Sequence, residues 1–150
     1  EDAAARKGML RAAYSAGLAF TKSYVGYVHG VAHSLGGQYG TPHGLANAVL
    51  LPYFLDEYGE SCEHRLAKLA RNSGVVERGL SDAETSRAFI AWVRKMNRAL
   101  GIPEKIEGIR EEDIPVMAAH ADRESNPLYP VPKLMDAKEL ERMYRKVMAA

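Results

Sequence analysis

The stretch from Gly26 to Pro52, GYVHGVAHSLGGQYGTPHGLANAVLLP, limits what this 150-residue chain can become more than any other part of it. It holds Gly26, Gly30, Gly36, Gly37, Gly40 and Gly44 between apolar residues otherwise suited to helices. Each glycine inside a helix costs about 1 kcal/mol relative to alanine. A helical segment kept only for packing would not carry so many. Glycine at this density marks places where the backbone comes close to something else, either a ligand or a neighbouring helix.

Three of the five histidines lie in the same stretch. His29 and His33 are four apart, so on a helix they project from one face, a turn apart. On that pair alone the plainer account is the stronger one: core or interface residues satisfied by backbone carbonyls, since the glutamate of an HExxH motif is missing. The third histidine shifts the balance. Thr41-Pro42-His43-Gly44 predicts a helix start with Thr41 as N-cap and Pro42 at the first helical position, which places His43 at a helix N-terminus. Neutral imidazole is the commonest protein ligand for zinc or ferrous iron, and two helices meeting at a glycine-rich corner let donors converge.

The run G-Y-V-H-G-V-A-H-x-L-G-G-x-Y-x-T-P-H-G-L-A-N-A-V-L-L-P resembles the signature segment of the iron-containing (group III) alcohol dehydrogenase family. The likeness extends over essentially all of 1–150, including the LGIP step at Leu100 to Pro103 and the EEDIP step at Glu111 to Pro115. The pattern along the chain predicts about seven helices and no strand, an all-α class, and the resemblance implies the dehydroquinate synthase-like C-terminal α domain of that family. It implies that His29 and His43 are ligands to Fe(II) or zinc, and that His33 lies beside the metal and the nicotinamide, with a part in catalysis or in shaping the substrate pocket. The implied activity is NAD(P)-linked interconversion of an alcohol and an aldehyde or ketone. Asn47, on the face of His43, is equally readable as a group near the metal shell or as a buried structural residue.

The departures from the family pattern matter as much. Its members are about twice this length or more, with an N-terminal Rossmann-like half that binds NAD(P) and a linking helix that supplies an Asp and a further His to the metal. No GxGxxG, phosphate loop or strand-rich half occurs here, and the chain opens on Glu1. The expectation is a C-terminal domain without its nucleotide-binding partner, with weak metal affinity and no dehydrogenase turnover alone. Two other readings stay open: a polyol dehydrogenase or dehydroquinate synthase-like enzyme domain, and a non-catalytic helical metal-binding or interaction module.

Composition excludes several classes. With 20 basic and 19 acidic residues there is no electrostatic footprint for nucleic acid or an anionic membrane. The single cysteine, Cys62, cannot close an internal disulfide, which fits a reducing cytoplasm. No signal peptide or membrane span is evident, since Asn47 and Pro52 interrupt the longest apolar run. A chain of this size is expected to form one domain.

Elsewhere the pattern is that of packed helices. An alanine-rich helix over 2–24 is expected to pack closely against neighbours, with one face left exposed and some reason for homo-oligomer formation. The histidine-bearing helix is expected to stop at Gly36-Gly37, and the next to run from Pro42 to about Tyr58, kinked or divided by Pro52. Leu66, Leu69 and Ala70 mark the buried face of a helix of ten to twelve residues. Ser81 and Glu84 form a capping box for a helix to Leu100, with Phe89, Ile90, Trp92, Val93, Met96 and Leu100 as its core side. Glu111 to Asp113 begins a helix whose C-terminal end carries His120, and Pro127, Pro130 and Pro132 predict an extended loop. Asp136 and Glu139 open a last helix that buries Leu140, Met143, Tyr144 and Val147. His64 reads as a solvated residue, and His120 as an imidazole near a helix C-terminus, where its protonated form is mildly favoured.

Overall fold

A computed structural model describes residues 2–149. Among them are seven α-helices and no strand, only an isolated parallel bridge between Ile106 and Met148. The helices are α1 (Ala3–Ser23), α2 (Tyr27–Tyr39), α3 (His43–Tyr58), α4 (Glu60–Ser73), α5 (Asp82–Ala99), α6 (Ile114–Ser125) and α7 (Ala137–Val147), with a 3-10 turn at Glu111–Asp113 leading into α6. The all-α expectation holds. No described helix is long and apolar enough to cross a membrane.

The core forms where α2, α3, α6 and α7 meet. Tyr27, Val31, Leu35, Leu50, Phe54, Ile114, Met117, Leu140, Met143, Tyr144 and Val147 lose essentially all their exposure there. Burying an aliphatic or aromatic side chain of this kind contributes about 1.5–3 kcal/mol. Local signals and tertiary packing agree most fully in α7. Asp136 accepts from the Glu139 amide at 2.8 Å while the Glu139 carboxylate accepts from the Asp136 amide at 3.0 Å. The apolar residues of α7 then recur at helical spacing on its buried side. The Ser81–Glu84 box opens α5 in the same way.

Gly30 explains part of the glycine density. A Cβ at this position would run into Ser125 Oγ and stand 3.4 Å from the Ala121 carbonyl oxygen. Here the close approach is to a neighbouring helix, and glycine is what lets α2 lie against α6. Gly40 serves another purpose. With φ +67° it ends α2 in the left-handed region, its N–H returning to the Gly36 carbonyl. The helix thus runs past the expected stop at Gly36-Gly37 to Tyr39, whose hydroxyl donates to Asp113 Oδ2 at 2.7 Å.

Pro52 neither ends nor divides α3, which is continuous from His43 to Tyr58. A proline has no N–H to give the carbonyl four residues back, here that of Ala48. The Asn97 side chain of α5 supplies the donor instead, with Nδ2 at 2.7 Å from the Ala48 oxygen. At the other end of α3, Pro42 takes the cap position and Thr41 makes no capping hydrogen bond, so the helix begins one residue later than expected.

Several expectations of burial fail. No residue of α1 is buried, and Met9, Leu10, Tyr14, Leu18 and Phe20 are all exposed. Leu69, at 54% exposure, lies off the α4 face that buries Leu66 and Ala70. Leu100, at 69%, and Met96 lie on the exposed side of the last turn of α5, while Ile90 and Val93 face inward and Phe89 and Trp92 are partly buried. The α5 pattern admits a face wider than the neighbouring helices cover. His120 is exposed near the middle of α6, not at its end.

Candidate metal centre

His29 and His33 project from consecutive turns of α2, and the short connection 40–42 brings His43, the first residue of α3, onto the same side. The ring centroids of His29 and His43 are 5.3 Å apart, those of His33 and His43 also 5.3 Å, and those of His29 and His33 5.9 Å. Three imidazoles separated by up to fourteen residues in sequence therefore form one cluster. His29 is half-buried, whereas His33 and His43 are exposed.

Each ring has a different environment. Burial holds the His29 imidazole below its ordinary range, His43 and His33 push the same way, and Glu124 opposes them. Asn47, one turn beyond His43, donates from Nδ2 to the His43 carbonyl at 2.9 Å and reaches His43 Nε2 at 3.2 Å. With the amide as donor, that nitrogen carries the lone pair. The Asn47 Oδ1 atom is buried without a hydrogen-bond partner among the described residues. On His33, Nδ1 lies 2.6 Å from Oε1 of Glu124 in the last turn of α6.

Two hollows flank the cluster. One, of about 390 Å3, is apolar and lined by Val28, Leu51, Val131 and Pro132 beside His29 and Asn47. The other, of about 360 Å3, is lined by His33, Gln38, His120 and Glu124 together with Met117. Nothing stands within 4 Å of where a Cβ would lie at Gly37 or Gly44, so both leave open space next to the histidines.

The donor set fits part of a metal shell. A tetrahedral centre holding two imidazoles at ~2.0 Å puts their ring centroids about 5 Å apart, close to what His29 and His43 display. No group of three or more His, Cys, Asp or Glu among the described residues is arranged to hold a metal ion by itself. The fit is thus to a partial set of neutral nitrogen donors.

Sequence reasoning names all three histidines and Asn47 but misses Glu124. Ninety-one residues separate it from His33, and no local motif links a carboxylate late in one helix to an imidazole on another. His64 lies outside the cluster, bonded to Asp82 at 2.6 Å.

The family model described as "Fe-containing alcohol dehydrogenase family, C-terminal" matches residues 1–148. The chain belongs to the iron-containing alcohol dehydrogenase family. The 1,3-propanediol dehydrogenase of Citrobacter freundii is 35% identical over 144 residues, 95% of this chain and 37% of its own length. Lactaldehyde reductase of Escherichia coli (strain K12) is 39% identical over 122 residues, 80% of this chain and 32% of its own. A crystal structure of 1,3-propanediol oxidoreductase superimposes with a TM-score of 0.79 at 34% identity, covering 88% of this chain and 35% of that one. An alcohol dehydrogenase from Oenococcus oeni gives 0.78 at 33% identity. The chain thus spans about a third of the length of these iron-type alcohol dehydrogenases, and matches the part that the family model calls C-terminal.

Proposed function

We propose that this chain is the metal-holding helical part of an NAD(P)-linked alcohol dehydrogenase that interconverts an alcohol and an aldehyde or ketone in the cytoplasm. The observation that carries the reading is the convergence of His29 and His43, their ring centroids 5.3 Å apart, from two helices of a chain in this family. In this reading the two imidazoles hold Fe(II) or zinc, and His33 orients the substrate hydroxyl. A divalent metal held there would supply Lewis acidity toward an alcohol oxygen, and a bound nicotinamide would supply the hydride acceptor.

The chain's own residues supply position and neutrality. Burial favours uncharged His29, and the Asn47 amide, in contact with His43 Nε2, fixes the orientation of the His43 ring. The apolar hollow beside His29 gives room to the carbon skeleton of an alcohol. The dinucleotide and the remaining metal donors come from polypeptide outside these residues, because catalytic metal sites keep at least three protein ligands. A partner region carrying them, or a second copy of the chain, belongs to the same proposal.

Calorimetric titration of the 150-residue chain with zinc, and with Fe(II) under anaerobic conditions, tests this reading. Expected is one weak site, lost in His29→Ala and His43→Ala and kept in His64→Ala, without alcohol-dependent reduction of NAD(P) by the chain alone. Sub-micromolar binding would overturn the prediction of weak affinity. Binding indifferent to both substitutions would overturn the ligand assignment.

A further inference from the structure

The His33 imidazole is held by a carboxylate that is itself held. Glu124 Oε1 lies 2.6 Å from His33 Nδ1, and the Tyr129 hydroxyl donates to the same oxygen at 2.8 Å. Tyr129 is placed by its own backbone, whose N–H donates to the Ser125 carbonyl at 2.8 Å just past the end of α6. Burial and the neighbouring carboxylate both push the Tyr129 phenol above its ordinary range, so it remains a donor. Both partners are ordered by helices: His33 by α2 and Glu124 by α6, two elements in extensive contact.

An ionised carboxylate only accepts hydrogen bonds. The proton between Glu124 and neutral His33 therefore sits on Nδ1, and Nε2 is left with the lone pair. Histidine in free solution prefers the opposite tautomer, with the proton on Nε2. The contact reverses that preference at one ring of a three-ring cluster, in the manner of outer carboxylates that fix ring orientation and raise basicity at metal sites.

We propose that Glu124 is a positioning residue that locks His33 in its Nδ1–H tautomer, with Tyr129 holding the carboxylate in place. His33 then presents an acceptor nitrogen, suited to take a hydrogen bond from an alcohol hydroxyl at the cluster. This role rests on the oxidoreductase reading above, whereas the tautomer itself needs no metal, nucleotide or substrate. The two can fail separately.

The test is 15N–1H correlation spectroscopy of the histidine rings in the 150-residue chain, metal-free and alkaline enough for His33 to be neutral. Expected is a pyrrole-like Nδ1 and a pyridine-like Nε2 for His33 in the wild type, with the majority form reversed in Glu124→Ala while the amide spectrum keeps its native dispersion. Glu124→Gln, whose amide oxygen still accepts, should keep part of the Nδ1–H population. A wild-type spectrum with the proton mainly on Nε2 overturns the proposal without recourse to any variant, as does a tautomer ratio unchanged in Glu124→Ala. If Glu124→Ala fails to fold, the wild-type spectrum and Glu124→Gln still decide. Metal titration of the same samples addresses the His29 and His43 assignment independently.

Discussion

The Tyr27 hydroxyl accepts the Met135 amide at 3.0 Å and lies 2.7 Å from Asn126 Oδ1, so a single phenol on α2 organises both ends of the loop before α7. Asn126 completes the arrangement by donating from Nδ2 to the Met135 carbonyl at 3.0 Å. Tyr27 is fully buried, so water cannot replace it as a partner without a change in packing. Tyr27→Phe keeps the ring and strands the Met135 N–H. A buried donor left without a partner costs about 1–3 kcal/mol, and urea unfolding of the variant should show that loss.

Gly30 and Ser125 form a second coupled pair. On helix propensity alone Gly30→Ala should stabilise α2 by about 1 kcal/mol. The added methyl would meet Ser125 Oγ, so the sign reverses, and overpacking of this kind costs about 1–3 kcal/mol. The Ser125 hydroxyl has no hydrogen-bond partner among the described residues, and removing it in Ser125→Ala should be nearly neutral. The double substitution should recover most of what Gly30→Ala loses. A thermal-melt double-mutant cycle reads the coupling directly, and strict additivity would contradict the packing account.

Glu57 is the acid side of a cationic surround. Lys146 Nζ lies at 2.7 Å, Lys133 Nζ at 3.1 Å and an Arg142 nitrogen at 3.9 Å. The hydrogen bond from Lys146 is the largest influence holding its carboxyl below the ordinary glutamate range, with Lys133 acting in the same direction against burial. A carboxyl whose pKa is lower folded than unfolded stabilises the fold at pH values above its unfolded range. That contribution fades as the pH falls through the folded pKa. Glu57→Gln should therefore be less stable than wild type near neutrality, and the two stability curves should converge in acid. Parallel curves from neutral to acid pH would refute the assignment.

The first helix makes a different kind of prediction. Asp2 caps it, accepting from the Ala4 and Ala5 amides at 2.9 and 3.1 Å, and Tyr24 ends it with φ +59°. Between those ends no side chain is buried. A chain starting at residue 25 should keep the midpoint of thermal unfolding, and amides of α1 in the longer chain should exchange with solvent far faster than those of α2 or α7. A large fall in the midpoint would mean that α1 supports the core.

What can be read in advance follows the reach of each interaction. Capping boxes at Ser81 and Asp136 span three residues, so sequence alone displays both partners. The histidine cluster needs only one helical turn and one tight corner, and it too is legible, along with the all-α class. The hydrogen bond between His33 and Glu124 spans 91 positions and has no periodic signature. Leu69, Met96 and Leu100 mislead for a related reason. Apolar periodicity tells which face of a helix is suited to burial, whereas how much of that face a neighbour covers depends on crossing geometry that single-helix patterns do not contain.

Pro52 shows how a missing donor can carry positional information. Along α3 every interior carbonyl looks alike to an approaching helix except that of Ala48, whose usual partner the proline ring has removed. Asn97 finds that one oxygen and no other, so α5 is indexed along α3 like a key seated at a single notch. Displacing α5 by one turn, about 5.4 Å, would leave both the carbonyl and the amide facing nothing suitable. The alignment of these two helices is thus written as an absence in one and a single side chain in the other.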